Sequence, residues 1–435
     1  MNYVNTTFKL KIKGLRWWMF VFFLIVGIFN YMDRTSLSIA LSLVSKQLNI
    51  GTTLTGVALS AFFWSYTLMQ LPGGWLVDRF KPRIIVSCAL IGWGIAEGLT
   101  GFVNSLLSLI LVRLLLGIFE GPVQVGCNTS LISWLRPYER GRGSTLIDSG
   151  GQLGAAIGGI VVTGLIMSYG SWRTAFEILG IATVLVGIIA FLFMRNKPSE
   201  HPMITEDEIR YLSENEVEEN CNNNRNENIF LYFKHISPWM LLLGFFAYDI
   251  VVYGLLTWAP YYLSKIRHIS FGMTGIWTMV IYVCGFIGEL IGGQLADYLR
   301  RRGISSNVVM KVLVGVAGIV VAISILLVNY VKSGTVAVLL LSITNFFLRW
   351  GGLYWSVPQM LVDKEYVGRL SGAMNFAGNI GGIIIPIFIG WVASIRNGFA
   401  IAFAVFCGAG LIMSISSMSI NYSHIDLDQI VNSKI

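Results

Sequence analysis

Asn30-Tyr31-Met32-Asp33-Arg34 puts an acid and a base side by side inside an apolar helical run. Trp17 to Phe29 lie just upstream, and Leu37, Ile39, Leu41 and Val44 continue the run beyond the charges. A charge that deep in a bilayer costs about 2.5–3.5 kcal/mol on insertion scales, so it faces a cavity, pairs, or does work. Adjacent helix residues are offset by ~100°. Asp33 and Arg34 therefore need not cancel: one can meet a proton while the other meets a substrate. The alternative is a buried structural ion pair. A second constellation is Arg113 and Glu120, two turns apart on nearly one face, with Gly117 between them and Gly121-Pro122 following. These two can swap between pairing with each other and pairing with a substrate or proton, or they form a permanent bridge.

Five other ionisable residues fall in apolar stretches: Glu97, Asp148, Asp249, Glu289 and Arg349. Glu97 and Glu289 sit among glycines and read as structural. Asp148 precedes Gly150-Gly151-Gln152, in a stretch whose Gly154, Gly158 and Gly159 allow close helix contact. Arg349 is the one membrane-embedded base of the C-terminal half, and it needs an anionic partner or water. Two partners are open to it: a second substrate carboxylate, or Asp249 or Asp148. Tyr66 and Gln70, Tyr354 to Ser356, and Asn375 and Asn379 add the makings of a polar pocket, and Trp258-Ala259-Pro260 predicts a break near the end of its span.

The elements that position these residues are membrane spans. Of 435 residues, 55% are hydrophobic and 12% charged, with mean hydropathy +0.68. A soluble protein carries about 25% charged residues. Apolar stretches of ~20 residues recur about twelve times, near 17–46, 54–77, 84–103, 106–134, 142–168, 173–195, 237–264, 271–299, 307–330, 334–361, 367–395 and 398–420. The basic tail before the first span (Lys9, Lys11, Lys13, Arg16) is no signal peptide, since that span is too long for a signal core. With both termini cytoplasmic, six of the 31 Lys and Arg face outward (Lys46, Arg173, Lys265, Arg267, Lys332, Arg396) and three lie in spans (Arg34, Arg113, Arg349), leaving 22 inside. That asymmetry explains the net charge of +8 and argues against nucleic acid. Cys88, Cys127, Cys284 and Cys407 in spans and Cys221 in a loop predict neither a disulfide nor a metal site.

The second and eighth spans end alike. Gly74 to Asp78-Arg79 and Gly293 to Asp297 both read Gly-x-x-x-Asp before a basic turn, about half the chain apart. This internal repeat predicts two six-helix units, residues 1–195 and 237–435, joined by a polar cytoplasmic linker over 196–236. In each copy the glycine would admit a neighbouring helix and the acid would pair across a gate. Thr205-Glu206-Asp207-Glu208 has capping-box spacing and predicts a short surface helix. Asn220 to Asn228 reads as a flexible linker, and the whole loop as a tether without a partner. His201, His235, His268 and His424 lie outside the spans, so any proton coupling falls to carboxylates. No phosphate-binding Gly-x-x-x-x-Gly-Lys-Ser/Thr and no catalytic constellation is present, which excludes ATP drive and enzyme chemistry.

Asn-Tyr-Met-Asp-Arg at 30–34, Gly73-Gly74-Trp75 through Asp78-Arg79, Arg113 to Glu120 and Asn375-Phe376-Ala377-Gly378 resemble the major facilitator superfamily, and within it the anion:cation symporters. The resemblance implies an all-α membrane protein of twelve helices that imports a small organic anion, a sugar acid such as a hexonate, hexuronate or aldarate. It implies protons as the coupling ion, no cofactor, and alternating access by a monomer in a bacterial inner membrane. By position, Asp33 and Glu120 match the proton-coupling carboxylates and Arg34 the base that meets the substrate. Arg113 matches the base that trades partners with the acid seven residues on. Tyr31, Tyr66, Trp355 and Asn375 match pocket residues, and Gln152 lies one step from a pocket Gln. An anion exchanger or another carboxylate or amino-acid carrier on the same fold is the alternative. A non-transporting sensor would need a soluble domain larger than 196–236.

Overall fold

The computed structural model describes residues 11–136, 139–213 and 229–425. The elements are α1 (Leu15–Gln47), α2 (Thr52–Phe80), α3 (Pro82–Thr100), α4 (Leu106–Trp134), α5 (Arg140–Tyr169), α6 (Trp172–Phe193), α7 (Glu206–Ser213), α8 (Ile236–Tyr261), α9 (Phe271–Arg301), α10 (Ser306–Leu327), α11 (Gly334–Leu348), α12 (Pro358–Leu361), α13 (Lys364–Val392) and α14 (Gly398–Ser419). Among the described residues, eleven helical passages are long and apolar enough to cross a membrane. The 29-residue α2, more polar through Gln70 and Asp78-Arg79, is the twelfth. Large apolar side chains such as Leu111, Ile181, Leu192, Ile323 and Ile415 stand exposed, as the lipid-facing surface of such a bundle requires.

Turn chemistry is local. The side chains of Ser105, Ser171, Ser305 and Ser333 accept from the backbone three residues on and start α4, α6, α10 and α11. Lys81 alone separates α2 from α3, in a positive-φ conformation, and Pro82 opens the next helix.

In the first half α1 packs on α5, α2 on α4, and α3 on α6. In the second, α8 packs on α13, α9 on α11, and α10 on α14, the same pairing in the same chain order. Small residues permit it, since helix association in lipid relies on close backbone approach. A Cβ on Gly150 would lie 2.8 Å from the Leu24 carbonyl, and one on Gly187 2.9 Å from the Ile91 nitrogen.

The halves meet along α2 with α13, α5 with α9, and α1 with α8. Their tightest contacts lie away from the side that carries both described chain ends, here the terminal side. Gly56 leaves no room for a Cβ beside the Pro386 carbonyl, Gly159 would place one 2.7 Å from the Gly275 carbonyl, and the Ser60 hydroxyl donates to the Ile383 carbonyl at 2.6 Å. Towards the terminal side a Cβ at Gly74, Gly293, Gly368 or Gly372 would meet nothing within 4 Å. The cleft between the halves opens to that side.

Four expectations are corrected. The close-packing glycines of the repeated motif are Gly73, against Pro122, and Gly292, against Trp350; Gly74 and Gly293 face open space. Asp78 is exposed, and Asp297 pairs within its own helix with Arg300 at 3.9 Å. Among the described residues no gate contact forms at these acids, because the terminal side is splayed. Pro260 does not break α8, which runs to Tyr261 and continues as a π-turn over Tyr262–Ile266. The tenth passage is instead the broken one: α11 stops at Leu348, residues Arg349–Ser356 form 3₁₀ turns, and α12 resumes at Pro358. Gly351, Gly352 and Pro358 explain the break.

The linker, finally, has partners. The surface helix α7 forms, with Glu208 N donating to Thr205 Oγ1 at 3.4 Å. Its Glu208 carboxylate does not close a capping box but caps α1, accepting from Leu15 N (2.9 Å), Arg16 N (3.2 Å) and Arg16 Nη1 (2.8 Å). Tyr211 OH donates to Glu139 at 3.2 Å, and Arg136 Nε donates to the Tyr211 carbonyl at 2.6 Å. At the far end Tyr232 OH donates to Asp363 at 2.7 Å. The Asn220–Asn228 stretch lies outside the described residues.

If the glycine seam sets the opening, Gly56→Leu disfavours this arrangement. Spin labels at positions 78 and 368 should then report a shorter-distance population enriched about tenfold, equivalent to ~1.4 kcal/mol. An unchanged distance distribution would show that the seam does not control the terminal side.

Candidate functional site

At the middle of α1 the sequence doublet separates as helix geometry requires. Asp33, fully buried, accepts from Thr183 Oγ1 of α6 at 3.3 Å, and its Oδ1 has no hydrogen-bond partner. Arg34 turns to α4, where its Nε donates to Glu120 Oε1 at 2.7 Å and its Nη2 closes the ion pair with the same oxygen. The guanidinium also lies over the rings of Tyr31 (5.0 Å), Phe62 (5.0 Å) and Tyr66 (4.7 Å). Each such face contributes about 2 kcal/mol when desolvated.

Glu120 is thus held by Arg34 and not by Arg113. Two helical turns separate Arg113 from Glu120 by roughly 10 Å along the axis, while α1 crosses α4 at the level of Glu120. Arg113 is 3% exposed, its Nε and Nη2 have no hydrogen-bond partner, and its electrostatic neighbours are Glu97, Glu120 and Asp33. Glu97 is fully buried and takes the Ser36 hydroxyl at 2.8 Å. Far from being an isolated packing residue, Glu97 belongs to the charged centre. Its α3 surroundings of glycine and alanine concealed this, because the acids it meets come from other helices.

The second half faces this centre with its own polar wall. Arg349 stands where α11 breaks, and its Nη1 donates to Tyr248 OH at 3.2 Å. No carboxylate lies within 4 Å of it among the described residues, although Glu289, Tyr31 and Tyr282 surround it electrostatically. Asp249 lies against Gly378 and senses both Arg349 and Arg34; Asp148 is exposed and accepts from Gln124 at 3.4 Å. Neither forms the bridge to Arg349 that the sequence allowed. The reason is geometric: the break in the tenth passage swings Arg349 towards Tyr248 of α8.

Amide pairs stitch the halves. Asn375 Nδ2 donates to Gln70 Oε1 at 3.1 Å, and Asn345 Nδ2 lies 3.4 Å from Gln152 Oε1. Asn379 accepts from Tyr253 OH at 3.2 Å. Of the expected pocket residues, Tyr31, Arg34 and Tyr66 come together directly and Asn375 meets Gln70 across the seam. Gln152 is buried at the α5–α11 junction. Trp355, 45% exposed, edges onto Phe245, which in turn contacts Tyr248. The sequence pattern does not mark out Asn345, Tyr248 and Tyr253. Each is a single polar residue in an apolar run, and only their neighbours on other helices distinguish them from packing.

A twelve-helix membrane bundle with two repeated halves, a cleft open to one side and arginines converging at its middle is a carrier of anionic solutes. The sequence pattern of the Major Facilitator Superfamily matches residues 23–386, and the chain belongs to that superfamily. It is 31% identical to the probable galactarate/D-glucarate transporter GudP of Bacillus subtilis (strain 168), over 96% of this chain and 94% of the relative. It is 29% identical to the hexuronate transporter of the same organism, over 91% and 92% of the two chains. Among solved structures, the D-xylose-proton symporter superposes with a TM-score of 0.73 at 15% identity, covering 93% of this chain and 97% of that one.

Breaking a buried ion pair by removing one partner costs on the order of 3–5 kcal/mol, more than removing both. Glu120→Gln should therefore lower the thermal midpoint of the purified protein further than the double change Arg34→Gln/Glu120→Gln. Strict additivity in this cycle would refute the pair.

Proposed function

We propose that this protein is a proton-coupled importer of small sugar acids, with the two-carboxylate aldarates as its preferred substrates. The observation that carries the reading is the pair of arginines. Arg34 of the first half and Arg349 of the second both act on Tyr31 and Asp249 between them, and Arg349 has no protein carboxylate in ion-pair contact among the described residues. An arginine retains its charge in any protein environment, so a dianion spanning the seam satisfies both bases. Galactarate and D-glucarate, the solutes named for the GudP relative, are such dianions.

In this reading one carboxylate displaces Glu120 from Arg34 and the other binds Arg349. Tyr66, Gln70 and Asn375 take the hydroxyls. The excess of basic residues on the terminal side supports a cytoplasmic placement of both termini, so the cleft opens to the cytoplasm. Protons on Asp33 and Glu120 neutralise the loaded site and let the two halves rock about the seam. A second reading follows from Asp249, which senses Arg349 electrostatically: a monocarboxylate carrier in which Asp249 and Arg349 serve each other.

The test is binding and uptake of D-glucarate and D-glucuronate by wild type and Arg349→Gln. The dicarboxylate reading expects at least a tenfold weaker affinity for D-glucarate, or ~1.4 kcal/mol, with little change for D-glucuronate. Equal loss for both would leave the monocarboxylate reading. Coupling is tested by Glu120→Gln in proteoliposomes, which should lose accumulation driven by a pH gradient while keeping counterflow exchange. Wild-type accumulation by this variant would remove Glu120 from the coupling step.

A further inference from the structure

The buried charges of the first six helices do not balance. Asp33, Glu97 and Glu120 bring three carboxyls, whereas Arg34 and Arg113 bring two guanidiniums, and all five side chains are more than nine-tenths buried. Glu120 is taken by Arg34. Arg113 is left with two unpartnered nitrogens, facing Glu97 and Asp33, each of which keeps an oxygen without a partner. Three ionised acids against two bases would leave a net negative charge in the membrane interior, where an uncompensated charge is strongly unfavourable. One proton removes it.

Thr183, whose one hydroxyl hydrogen has the Leu179 carbonyl at 3.0 Å and Asp33 Oδ2 at 3.3 Å in reach, gives that proton a place on Asp33, and Ser36 gives it a place on Glu97. The single hydroxyl hydrogen of Ser36 has two acceptors in reach, the Asp33 carbonyl oxygen at 2.7 Å and Glu97 Oε1 at 2.8 Å. A serine supplies one donor and two acceptor lone pairs. Both contacts are fully satisfied when Ser36 donates to the carbonyl and Glu97 donates to Ser36, and that requires an un-ionised Glu97.

We propose that Glu97 is a proton-carrying residue of the coupling machinery, sharing one proton with Asp33 beside the Arg113 guanidinium. The proposal rests on the proton-coupled reading above and adds a third carboxyl to it. When a substrate carboxylate occupies Arg34, Glu120 loses its counter-ion. It then either takes a proton itself or draws Arg113 towards it along α4, and in the second case Asp33 and Glu97 must both be protonated. Either route brings in one proton for the carboxylate that occupies Arg34, keeps the first-half site neutral and changes no covalent bond to carbon.

The groups facing Glu97 are Asp33 and Ser36 from α1 and Arg113 and Glu120 from α4, while Trp93 of its own helix lies at Asp33. On α6, Thr183 bonds Asp33, while Arg173 and Glu177 lie a turn beyond Glu97 beside Gly101. The only charged residues of α2, Asp78 and Arg79, are exposed at its terminal-side end.

The full-length protein, reconstituted in proteoliposomes with radiolabelled D-glucarate, tests this. Glu97→Gln should lower pH-gradient-driven accumulation by about tenfold or more while counterflow exchange stays within about threefold of wild type, and Glu97→Asp should restore part of the accumulation. A second reading needs no substrate. Purified wild type should show an infrared band of un-ionised carboxylic acid at neutral pH that weakens in Glu97→Gln, and that shifts in Glu97→Asp even if the glutamine variant does not fold. Wild-type accumulation together with an unchanged infrared band would overturn the proposal and leave Glu97 as an acceptor for Ser36. If wild type neither binds nor moves D-glucarate, the substrate reading fails, and the infrared band still decides the role of Glu97.

Discussion

A guanidinium held in the middle of a membrane cannot shed its charge, so everything around Arg34 must compensate for it. Glu120 provides the counter-charge, and Tyr31, Phe62 and Tyr66 provide three aromatic faces. Such a pair is only marginally favourable in stability terms, because both ions are desolvated to make it. Its marginality is useful in a carrier. In the proposed cycle an incoming carboxylate would offer Arg34 the same chemistry that Glu120 does, and the exchange would displace a protein acid that then needs a proton or a new base. Arg113, two turns along α4 and short of hydrogen bonds, is the base nearest to hand.

The scaffold that makes this exchange consequential is built on glycine. Because α5 carries glycines where it crosses α1, and α2 and α5 carry them where they cross α13 and α9, backbones approach closely with little side chain between them. A seam of this kind holds on one side and releases on the other without repacking large side chains. The amide pairs Asn375–Gln70 and Asn345–Gln152 lie along the same seam. They tie the polar centre to the surfaces that must part when the cleft changes sides.

The linker adds a restraint at the open end. Glu208 caps α1, the helix that carries Asp33 and Arg34, and at the same time pairs with Arg16, which also reaches Glu139 before α5 at 3.2 Å. A carboxylate at a helix N-terminus contributes about 0.3–1 kcal/mol through the helix dipole. The stretch of the linker that forms α7 is therefore part of the terminal-side face of the first half.

Much of this protein was legible in its residues alone. Long apolar runs can only become helices in lipid, since backbone groups must be satisfied within the segment, and the repeat of Gly-x-x-x-Asp announced two like halves. The depth of Asp33, Arg34, Arg113 and Glu120 marked the charged centre of the bundle, because intramembrane charge is too costly to leave uncompensated. What the sequence did not contain was the pairing. The spacing of Arg113 and Glu120 joined them on one stripe, yet Glu120 belongs to Arg34, because side chains two turns apart along one helix meet less readily than side chains on crossing helices. Glu97 looks like packing in the sequence for the same reason: its partners Ser36, Asp33 and Arg113 come from α1 and α4. The break at Arg349 and the opening of the cleft to one side likewise depend on which helices touch. Periodicity and burial cost are properties of a segment, whereas partner choice among buried charges is a property of the assembled bundle.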